Sequence, residues 1–450
     1  MKPLERCGVI GIHAFEDTWK IARFIYYGLL ALQHRGQETS GQSTYSGKIS
    51  AYKSSGYVDR IFSEEVIERL PGWTGIGHVG PTPTKEASLI QPIVVDRPFK
   101  LAFAYNGLVL NPEELASERR LRGRNDAQVF AELLSHELAS SDPLEAVAAA
   151  SEAVKGPFSF VALTEKGEMI AGRDPTGLRP LVVGSFGFDY GAVASESCAL
   201  DIIGADYKAD VKPGESYLFT PYHIERRQIS RSTPMYCAFE YVYFARPDSF
   251  INERSVYEVR MEMGKRLATE SGVREADAVI GIPATAVPFG MAYSNETEIP
   301  IQMGFVQTGR AVRSAIKPTQ LERLMGVQLK LNPIRPSIRG KRILMIDDSV
   351  VRGTTTKNTV NLIRNRIGAK EVHVRIGSPR LVSPCPFGVE VPSKDELIAA
   401  HLDEDEVAKV VGADSFRWLS LRSLIEAIGI PRERLCLGCF GGRTPNYGVG

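Results

Sequence analysis

The stretch KRILMIDDSVVRGTT, residues 341–355, decides the fold of the second half of the chain. An apolar run typical of a buried strand ends in two adjacent carboxylates, Asp347 and Asp348, and a turn rich in hydroxyls and glycine then leads into a helix. Backbone N–H groups of such a turn, with a helix N-terminus behind them, form a cradle for an anion. Because carboxylates repel phosphate, we expect this pair to face sugar hydroxyls or a Mg²⁺ ion. The stretch therefore predicts a site for a phosphorylated ribose.

The segments around this stretch alternate between strand and helix patterns. DAVIGIP (277–283) and KEVHVRIG (370–377) are typical of buried strands. SVYEVRMEMGKRLATE (255–270) and TTTKNTVNLIRNRIG (354–368) are typical of helices. This alternation predicts a parallel sheet covered by helices, which is an α/β domain.

The first half of the chain has a different pattern of predicted secondary structure. Short strand-like runs alternate with turns, and helices interrupt them, as in KIARFIYYGLLALQ (20–33) and NDAQVFAELLSHEL (125–138), where Asn125 or Asp126 can cap the helix. The pattern favours sheets sandwiched between helices. We therefore divide the chain into residues 7–230, a linker at 231–254 and a second domain at 255–450 that includes a cysteine-bearing tail.

Composition excludes several classes of protein. The chain has 450 residues, 24% of them charged, and a net charge of +1, which gives no electrostatic case for nucleic-acid or membrane binding. The longest apolar run, residues 24–32, is too short to span a bilayer, and the leader MKPLER has no apolar core of a secretory signal. We expect a cytoplasmic protein.

Cys7, at the start of CGVIGI, has two possible interpretations. It is either a small buried hydrophobe or a nucleophile that uses its own α-amine as base. An α-amine titrates at about 7.7–8.0 and can accept the thiol proton, but only if Cys7 is the first residue of the mature chain. The second interpretation predicts that residues 1–6 are a propeptide.

Six short segments follow one another in the order of a known domain: CGVIGI, LQHRGQE, YNG, NDAQ, RDPTGLRP and VASESCALD. Together they resemble the glutamine amidotransferase domain of the N-terminal-nucleophile class. The stretch at 341–355 resembles the phosphoribosylpyrophosphate (PRPP) loop of type I phosphoribosyltransferases. With residues 237–260, the chain from Cys7 to the tail is similar to the glutamine PRPP amidotransferases.

This resemblance implies both a fold and a reaction. The fold would be an N-terminal-nucleophile αββα sandwich, which is α+β, followed by a parallel-sheet α/β phosphoribosyltransferase domain. The reaction would convert PRPP, glutamine and water to 5-phosphoribosylamine, glutamate and pyrophosphate, the first step of purine biosynthesis. Purine nucleotides as inhibitors and a homo-oligomer, dimer or tetramer, are also implied.

The family's glutamine-site roles transfer to matching positions. Cys7 would attack the glutamine amide, and the Asn106 side chain and Gly107 N–H would form the oxyanion hole. Asp126 would bind the glutamine α-ammonium, and Arg35 with Gly36 would line the pocket. Simpler alternatives stay open: Asn106-Gly107 as a hairpin turn, Asp126 as a helix cap, and Arg35-Gly36 as a helix end.

The phosphoribosyl site is assigned in the same way. Its magnesium would be held by Thr285, Asp347 and Asp348. The PRPP-binding residues would be Asp347, Asp348, Ser349, Val350, Val351, Arg352, Gly353, Thr354, Thr355, Arg310 and Arg313.

Three positions depart from the family pattern. Gly80 stands where an arginine usually binds the glutamine carboxylate, and Arg97 is a candidate replacement. Ala284 stands in place of an acidic residue and Gln307 in place of a lysine. These departures leave two alternatives: an ammonia-dependent phosphoribosyltransferase with impaired glutaminase, and a non-catalytic iron–sulfur regulator that binds nucleotides or PRPP.

Four of the six cysteines lie outside the catalytic segments: Cys237, Cys385, Cys436 and Cys439. Four thiolates suit a [4Fe–4S] cluster or a Cys₄ zinc site. The resemblance places cysteines at these positions in the iron–sulfur branch of the family and favours the cluster. The remaining Cys198 is expected to be a packing residue.

Overall fold

The computed structural model describes residues 7–81, 86–273, 275–307 and 331–448. Within these ranges the first domain contains two antiparallel sheets. The strands of the first sheet, in spatial order, are Asp206–Asp210, Val182–Phe186, Tyr190–Ala194, Gly8–Ala14, Thr74–Gly80, Thr39–Tyr45 and Ile49–Ser55. Those of the second sheet are Ile224–Gln228, Glu215–Phe219, Met169–Arg173, Phe158–Thr164, Leu101–Gly107 and Ile93–Val95.

The two sheets pack face to face and helices cover their outer faces. Alternate residues of each strand, such as Val9 and Ala104, fill the layer between the sheets. The helices are Ile21–Ala31, Val58–Ile61, Glu64–Glu68, Pro112–Arg119, Asp126–Leu138, Pro143–Ala153 and Ser197–Ile202, with a 3₁₀ turn at Ala87–Leu89. This arrangement confirms the predicted αββα sandwich.

Helix placement follows from which face of each helix is apolar. The helix Ile21–Ala31 buries Ile21, Ile25 and Leu29 against the first sheet. The helix Asp126–Leu138 buries Phe130 among the aromatic side chains of the second sheet. Each sheet therefore has one face in the central layer and one face under helices, and central strands such as Gly8–Ala14 and Phe158–Thr164 are buried along their whole length.

The second domain is built on a parallel sheet. Its strands, in spatial order, are Ala278–Gly281, Arg342–Asp347, Glu371–Ile376 and Ser415–Trp418. The surrounding helices are Val256–Ser271, Val287–Thr297, Arg335–Ile338, Thr354–Asn361, Ile398–His401, Glu404–Val411 and Leu421–Ile428, with 3₁₀ turns at Lys394–Glu396, Arg432–Arg434 and Gly438–Phe440. The predicted α/β fold is confirmed.

Several short elements lie in the linker and in the second domain. A π-helix spans Glu240–Phe244, and a second spans Leu362–Ile367 directly after the helix of the 341–355 motif. Two-stranded pairs join Tyr236–Cys237 to Leu435–Cys436, Phe250–Ile251 to Arg254–Ser255 and Phe305–Val306 to Asn332–Pro333. The first pair brings the C-terminal tail back to the linker. No helix among the described residues is long and apolar enough to cross a membrane.

Candidate active sites

Cys7 lies at the start of a central strand of the first sheet. It directly precedes Gly8–Ala14, is 7% exposed, and shares its face of the strand with Val9, which packs in the layer between the sheets. The adjacent strand pairs Val79 with Gly8, so Gly80 comes next to Cys7 across the sheet. The thiol is therefore buried at the end of the inter-sheet layer.

Asn106 faces the same layer from the opposite sheet. Along the strand Leu101–Gly107 it alternates in phase with Ala102 and Ala104, which belong to the inter-sheet core. Its side chain is 1% exposed, and its Nδ2 has no hydrogen-bond partner in the described part of the chain. A buried amide donor without a partner is costly unless a ligand completes it.

The backbone at position 107 leaves no room for a side chain. A Cβ there would lie 2.3 Å from the carbonyl oxygen of Pro157. Only glycine fits this strand end, so the predicted oxyanion donor is a backbone held close to the neighbouring strand.

Asp126 is linked to the strand that carries Asn106 by a residue that the sequence analysis missed. The Tyr105 hydroxyl donates to Asp126 Oδ2. Burial, then the charges of Asp126 and Cys7, raise the pKa of Tyr105 well above its usual value. Asn125 is the helix cap, because its side chain accepts from the N–H of Gln128 at 2.9 Å. The only sequence signal for Tyr105 is its position directly before Asn106 and Gly107. The partner of its hydroxyl, Asp126, lies in a different segment of the chain.

Arg35 occupies a buried ion-pair network. Its Nε donates to Glu196, and its Nη2 donates to Glu240 Oε2 at 2.6 Å. Burial opposes ionisation of Glu196, but the charges of Arg35 and His34 outweigh it and hold the pKa of that carboxyl well below its usual range. Arg35 therefore connects the first domain to the π-helix of the linker. Nothing in its own segment indicated the two carboxylates, which are 161 and 205 residues away.

Gly36 and Gly80 are in backbone contact. A Cβ on Gly36 would lie 2.2 Å from the nitrogen of Gly80, so the chain segments pack without side chains between them. Gly80 itself is buried, and its carbonyl accepts from the hydroxyl of Thr39 at 3.1 Å. The position expected to hold a carboxylate-binding arginine thus contributes no cation next to Cys7.

The 341–355 motif has the predicted form of strand, acidic pair, turn and helix. Asp347 ends the strand, and Asp348 is fully buried and accepts from the Ser349 hydroxyl at 2.7 Å. Gly353 has φ of 73° and caps the helix Thr354–Asn361. Side chains and backbone of Asp347 and residues 349–356 line a small concave site. The predicted PRPP residues of the motif, apart from the fully buried Asp348, thus lie together around this site, with the helix N-terminus behind them.

The neighbouring strand end supplies Thr285. The N–H of Ile282 donates to the carbonyl of Ile346 at 2.9 Å, so the turn containing Thr285 leaves the sheet at the same edge as Asp347. Arg352 is ion-paired with Glu396 at 2.6 Å. Arg310 and Arg313 lie outside the described residues, and their assignment stays a prediction. The donor set of Thr285, Asp347 and Asp348 consists of hard oxygens, which suit magnesium.

The four predicted cluster cysteines gather at the domain junction. Cys237 and Cys436 are register partners in the short parallel pair, and Cys385 and Cys439 pack beside them. Burial raises the pKa of Cys436 to about 11 and those of Cys237 and Cys439 well above the usual thiol value. All four are free thiols. Among the described residues, no group of three or more His, Cys, Asp or Glu side chains is arranged to hold a metal ion.

The fold and these sites define a class: a glutamine amidotransferase with an N-terminal nucleophile, joined to a type I phosphoribosyltransferase domain. A glutamine amidotransferase domain model matches residues 82–201. Amidophosphoribosyltransferases of Methanocaldococcus jannaschii and Methanothermobacter thermautotrophicus are 40% and 39% identical to this chain, cover 98% of it, and are themselves covered over 97% and 94%.

Solved structures agree with these relatives. The glutamine PRPP amidotransferase of B. subtilis, complexed with ADP and GMP, superposes with a TM-score of 0.88 at 35% identity, covering 98% of this chain and 97% of that one. A structure described as the allosteric regulatory enzyme of purine biosynthesis gives a TM-score of 0.89 at 35% identity, covering 98% and 96%. The chain belongs to the amidophosphoribosyltransferase family.

Proposed function

We propose that this chain releases ammonia from glutamine in its first domain and uses it in the second to displace pyrophosphate from PRPP, which gives 5-phosphoribosylamine. The observation that carries the proposal is the buried Nδ2 of Asn106, which has no hydrogen-bond partner among the described residues and faces the same inter-sheet layer as Cys7. The complete strand–acid-pair–turn–helix site stands in the same chain. The two half-reactions thus have separate sites that one polypeptide connects.

In the first half-reaction the Cys7 sulfur attacks the amide carbon of glutamine. The thiol proton passes to the α-amine of Cys7 and then to the departing nitrogen, so ammonia leaves and a glutamyl thioester forms. Water then cleaves the thioester to glutamate and regenerates the thiol. The Asn106 amide and Gly107 N–H stabilise the oxygen that becomes negative, and Asp126 binds the α-ammonium of the substrate.

The role of the α-amine makes a propeptide necessary. With residues 1–6 attached, the nitrogen of Cys7 is an amide and has no basic lone pair. The intact mass of glutamine-active protein should therefore lack Met1 to Arg6. A fully glutamine-active chain that retains these residues would overturn the role given to the amine.

In the second half-reaction the nitrogen lone pair of ammonia forms a bond to C1 of the ribose, while the bond from C1 to the pyrophosphate oxygen breaks. The turn at 349–355 binds the 5-phosphate through backbone N–H groups and hydroxyls. Asp347, Asp348 and Thr285 would hold magnesium, which would supply positive charge beside the pyrophosphate. Arg310 and Arg313 are assigned to the same leaving group.

The four clustered cysteines are assigned to a [4Fe–4S] cluster. Four thiols without disulfides are the donor set that iron–sulfur clusters use. A Cys₄ zinc site would use the same four donors. The resemblance to the iron–sulfur branch of the family favours the cluster. Its role here is structural, since neither half-reaction transfers an electron.

The remaining assignments rest on the family. The B. subtilis relative was solved with ADP and GMP, which supports inhibition of this chain by purine nucleotides. We also assign it to a homo-oligomer, dimer or tetramer, and to the cytoplasm.

The decisive experiment measures pyrophosphate release from PRPP and Mg²⁺ with either glutamine or ammonia as nitrogen donor. Release with both donors supports the proposal. Release with ammonia alone identifies a phosphoribosyltransferase with an impaired glutaminase. No release with either donor identifies a non-catalytic regulator and contradicts the proposal.

One observation favours the ammonia-dependent alternative. Gly80 lies next to Cys7 with no side chain, and the nearby Arg35 is engaged by Glu196 and Glu240. A bidentate charged contact to the glutamine carboxylate is thus missing at this position. We expect a raised KM for glutamine with an ordinary ammonia-dependent rate, whereas a low KM for glutamine would show that another residue, such as Arg97, replaces the arginine.

A further inference from the structure

A cleft lies where the first domain, the linker and the C-terminal tail meet. Its volume is about 680 Å³, which falls in the range of ligand pockets, roughly 300–1,000 Å³. Its walls come from residues 210–213, 228–236, 252–254 and 429–434. None of the described residues that line it belongs to the 347–356 loop or to the surroundings of Cys7. The cleft is therefore separate from both sites described above.

The floor of the cleft carries a buried positive charge. Arg173 is 1% exposed, and its guanidinium is always protonated. Its nitrogens donate to neutral oxygens only among the described residues: the carbonyls of Arg179, Val211 and Gly177, at 2.7, 2.8 and 2.6 Å, and Asn252 Oδ1 at 3.0 Å. The hydrogen bonds of this cation are satisfied, but no carboxylate in contact neutralises its charge.

A second guanidinium contacts an aromatic ring that the first one also contacts. The buried ring of Tyr236 lies 5.5 Å from the Arg173 guanidinium and 5.6 Å from that of Arg434. Arg434 also donates to the Tyr236 hydroxyl at 3.3 Å. These contacts hold Arg434 of the C-terminal tail against Tyr236 of the linker.

The rim of the cleft adds exposed cations. Lys212, Arg231 and Arg254 line it, and within the described residues none of them is ion-paired with a carboxylate. Of the two acidic residues in the lining, Asp210 already accepts the N–H groups of Asn252 and Glu253, both at 2.7 Å. Over the whole lining, positive charge thus exceeds negative charge, with the cations Arg173, Lys212, Arg231, Arg254 and Arg434 against the carboxylates Asp210 and Glu253.

We propose that this cleft binds a polyphosphate anion, either free or as part of a nucleotide. Arginine forks recognise phosphate oxygens through paired, charge-assisted hydrogen bonds, and here Arg231 and Arg254 of the linker and Arg434 of the tail line the cleft together with Lys212 of the first domain. The volume accommodates more than a single phosphate group. Because the walls belong to different parts of the chain, a bound anion would tie the tail to the first domain.

The test uses inorganic triphosphate as probe and the full chain with its PRPP site saturated by PRPP and Mg²⁺, in the absence of any nitrogen donor. Calorimetry should show one triphosphate per chain that PRPP does not displace. The double variant Arg231→Glu/Arg434→Glu should bind at least about tenfold more weakly, since each charge-assisted contact contributes about 1.5–3 kcal/mol. Repeating the titration with ATP distinguishes a nucleotide site from a bare polyphosphate site.

A matched control carries the same change of charge elsewhere. Arg60 and Lys409 are exposed and lie outside the cleft, so Arg60→Glu/Lys409→Glu should bind triphosphate like the unmodified chain. Lys212→Glu provides a second cleft variant if the double variant fails to fold, which circular dichroism will show. Equal binding by cleft and control variants, or no PRPP-resistant binding by the unmodified chain, would overturn the proposal.

Discussion

At the scale of single residues, the side-chain amide of Asn106 is a buried hydrogen-bond donor that a bound substrate would satisfy. Since its Nδ2 makes no hydrogen bond within the described chain, Asn106→Ala should cost little stability beyond the lost packing. It should lower the glutamine-dependent kcat by about 10²–10³, the usual effect of losing one oxyanion donor. Steady-state kinetics should show an unchanged ammonia-dependent rate.

Asn111 provides the contrast. It is also buried, but its side chain donates to Ala153 O at 3.2 Å and accepts from the N–H of Lys155 at 3.0 Å. Asn111→Ala should therefore reduce stability and leave the glutamine-dependent kcat of the folded protein unchanged. If both variants lost activity to the same extent, the oxyanion assignment of Asn106 would be wrong.

The buried ion pairs of Glu196 lead to a prediction of how the free energy of unfolding depends on this residue and on pH. Besides Arg35, it contacts His34 Nε2 at 2.7 Å, the Ser249 hydroxyl at 2.7 Å and the N–H of Arg246 at 2.9 Å. Removing one partner of a buried ion pair costs about 3–5 kcal/mol, so Glu196→Gln should lower the free energy of unfolding by about 3 kcal/mol at pH 7. Urea unfolding at a series of pH values measures this difference.

The sign of the pH dependence follows from the direction of the shift. The folded-state pKa of Glu196 lies below the unfolded value of about 4.3, so its stabilisation is complete above that value. It is lost as the pH falls toward the folded pKa. The gap between the parent and Glu196→Gln should therefore be constant from pH 7 to about pH 5 and narrow below about pH 4. Glu64→Gln, in an exposed pair with Arg23, should behave like the parent throughout.

At the scale of elements, the turn of the phosphoribosyl site depends on the left-handed backbone of Gly353. A Cβ there would also lie 2.8 Å from Ile398 Cδ1, so Gly353→Ala must shift the turn or the segment behind it. We expect a loss of about 1–2 kcal/mol in stability together with a raised KM for PRPP. Gly412 has φ of 79° and open space around it, so Gly412→Ala should show a similar stability loss with an unchanged KM.

Individual elements were well predicted because their signals are local. The stretch at 341–355 specified the strand Arg342–Asp347 and the turn after it, and the pattern at 255–270 specified the helix Val256–Ser271. The stretch at 354–368 was predicted as one helix, whereas the structure has an α-helix to Asn361 followed by a π-helical segment. Apolar spacing gives the presence of a helix but does not distinguish α from π hydrogen bonding.

At the scale of the whole molecule, the contacts that join the domains could not be predicted. Arg35, Glu196 and Glu240 meet only after three distant segments have folded, and no pattern within any of them records the others. Tyr447 is a further example, since its hydroxyl lies 2.6 Å from that of Thr176, 271 residues earlier. The family resemblance indicates that Arg35 lies near Cys7. Only the structure shows that Arg35 is ion-paired with Glu196 and Glu240 at the domain junction.

The last prediction concerns Cys237, Cys385, Cys436 and Cys439. These four cysteines come from the linker, the second domain and the tail. If they hold a [4Fe–4S] cluster, anaerobically purified protein should be brown and contain about four irons per chain. Cys436→Ser should remove the iron and lower the unfolding temperature, since three segments lose their common anchor. Cys198→Ser, at a buried cysteine that packs beside Glu196, should retain the iron. Colourless protein with one zinc per chain would instead establish the zinc site.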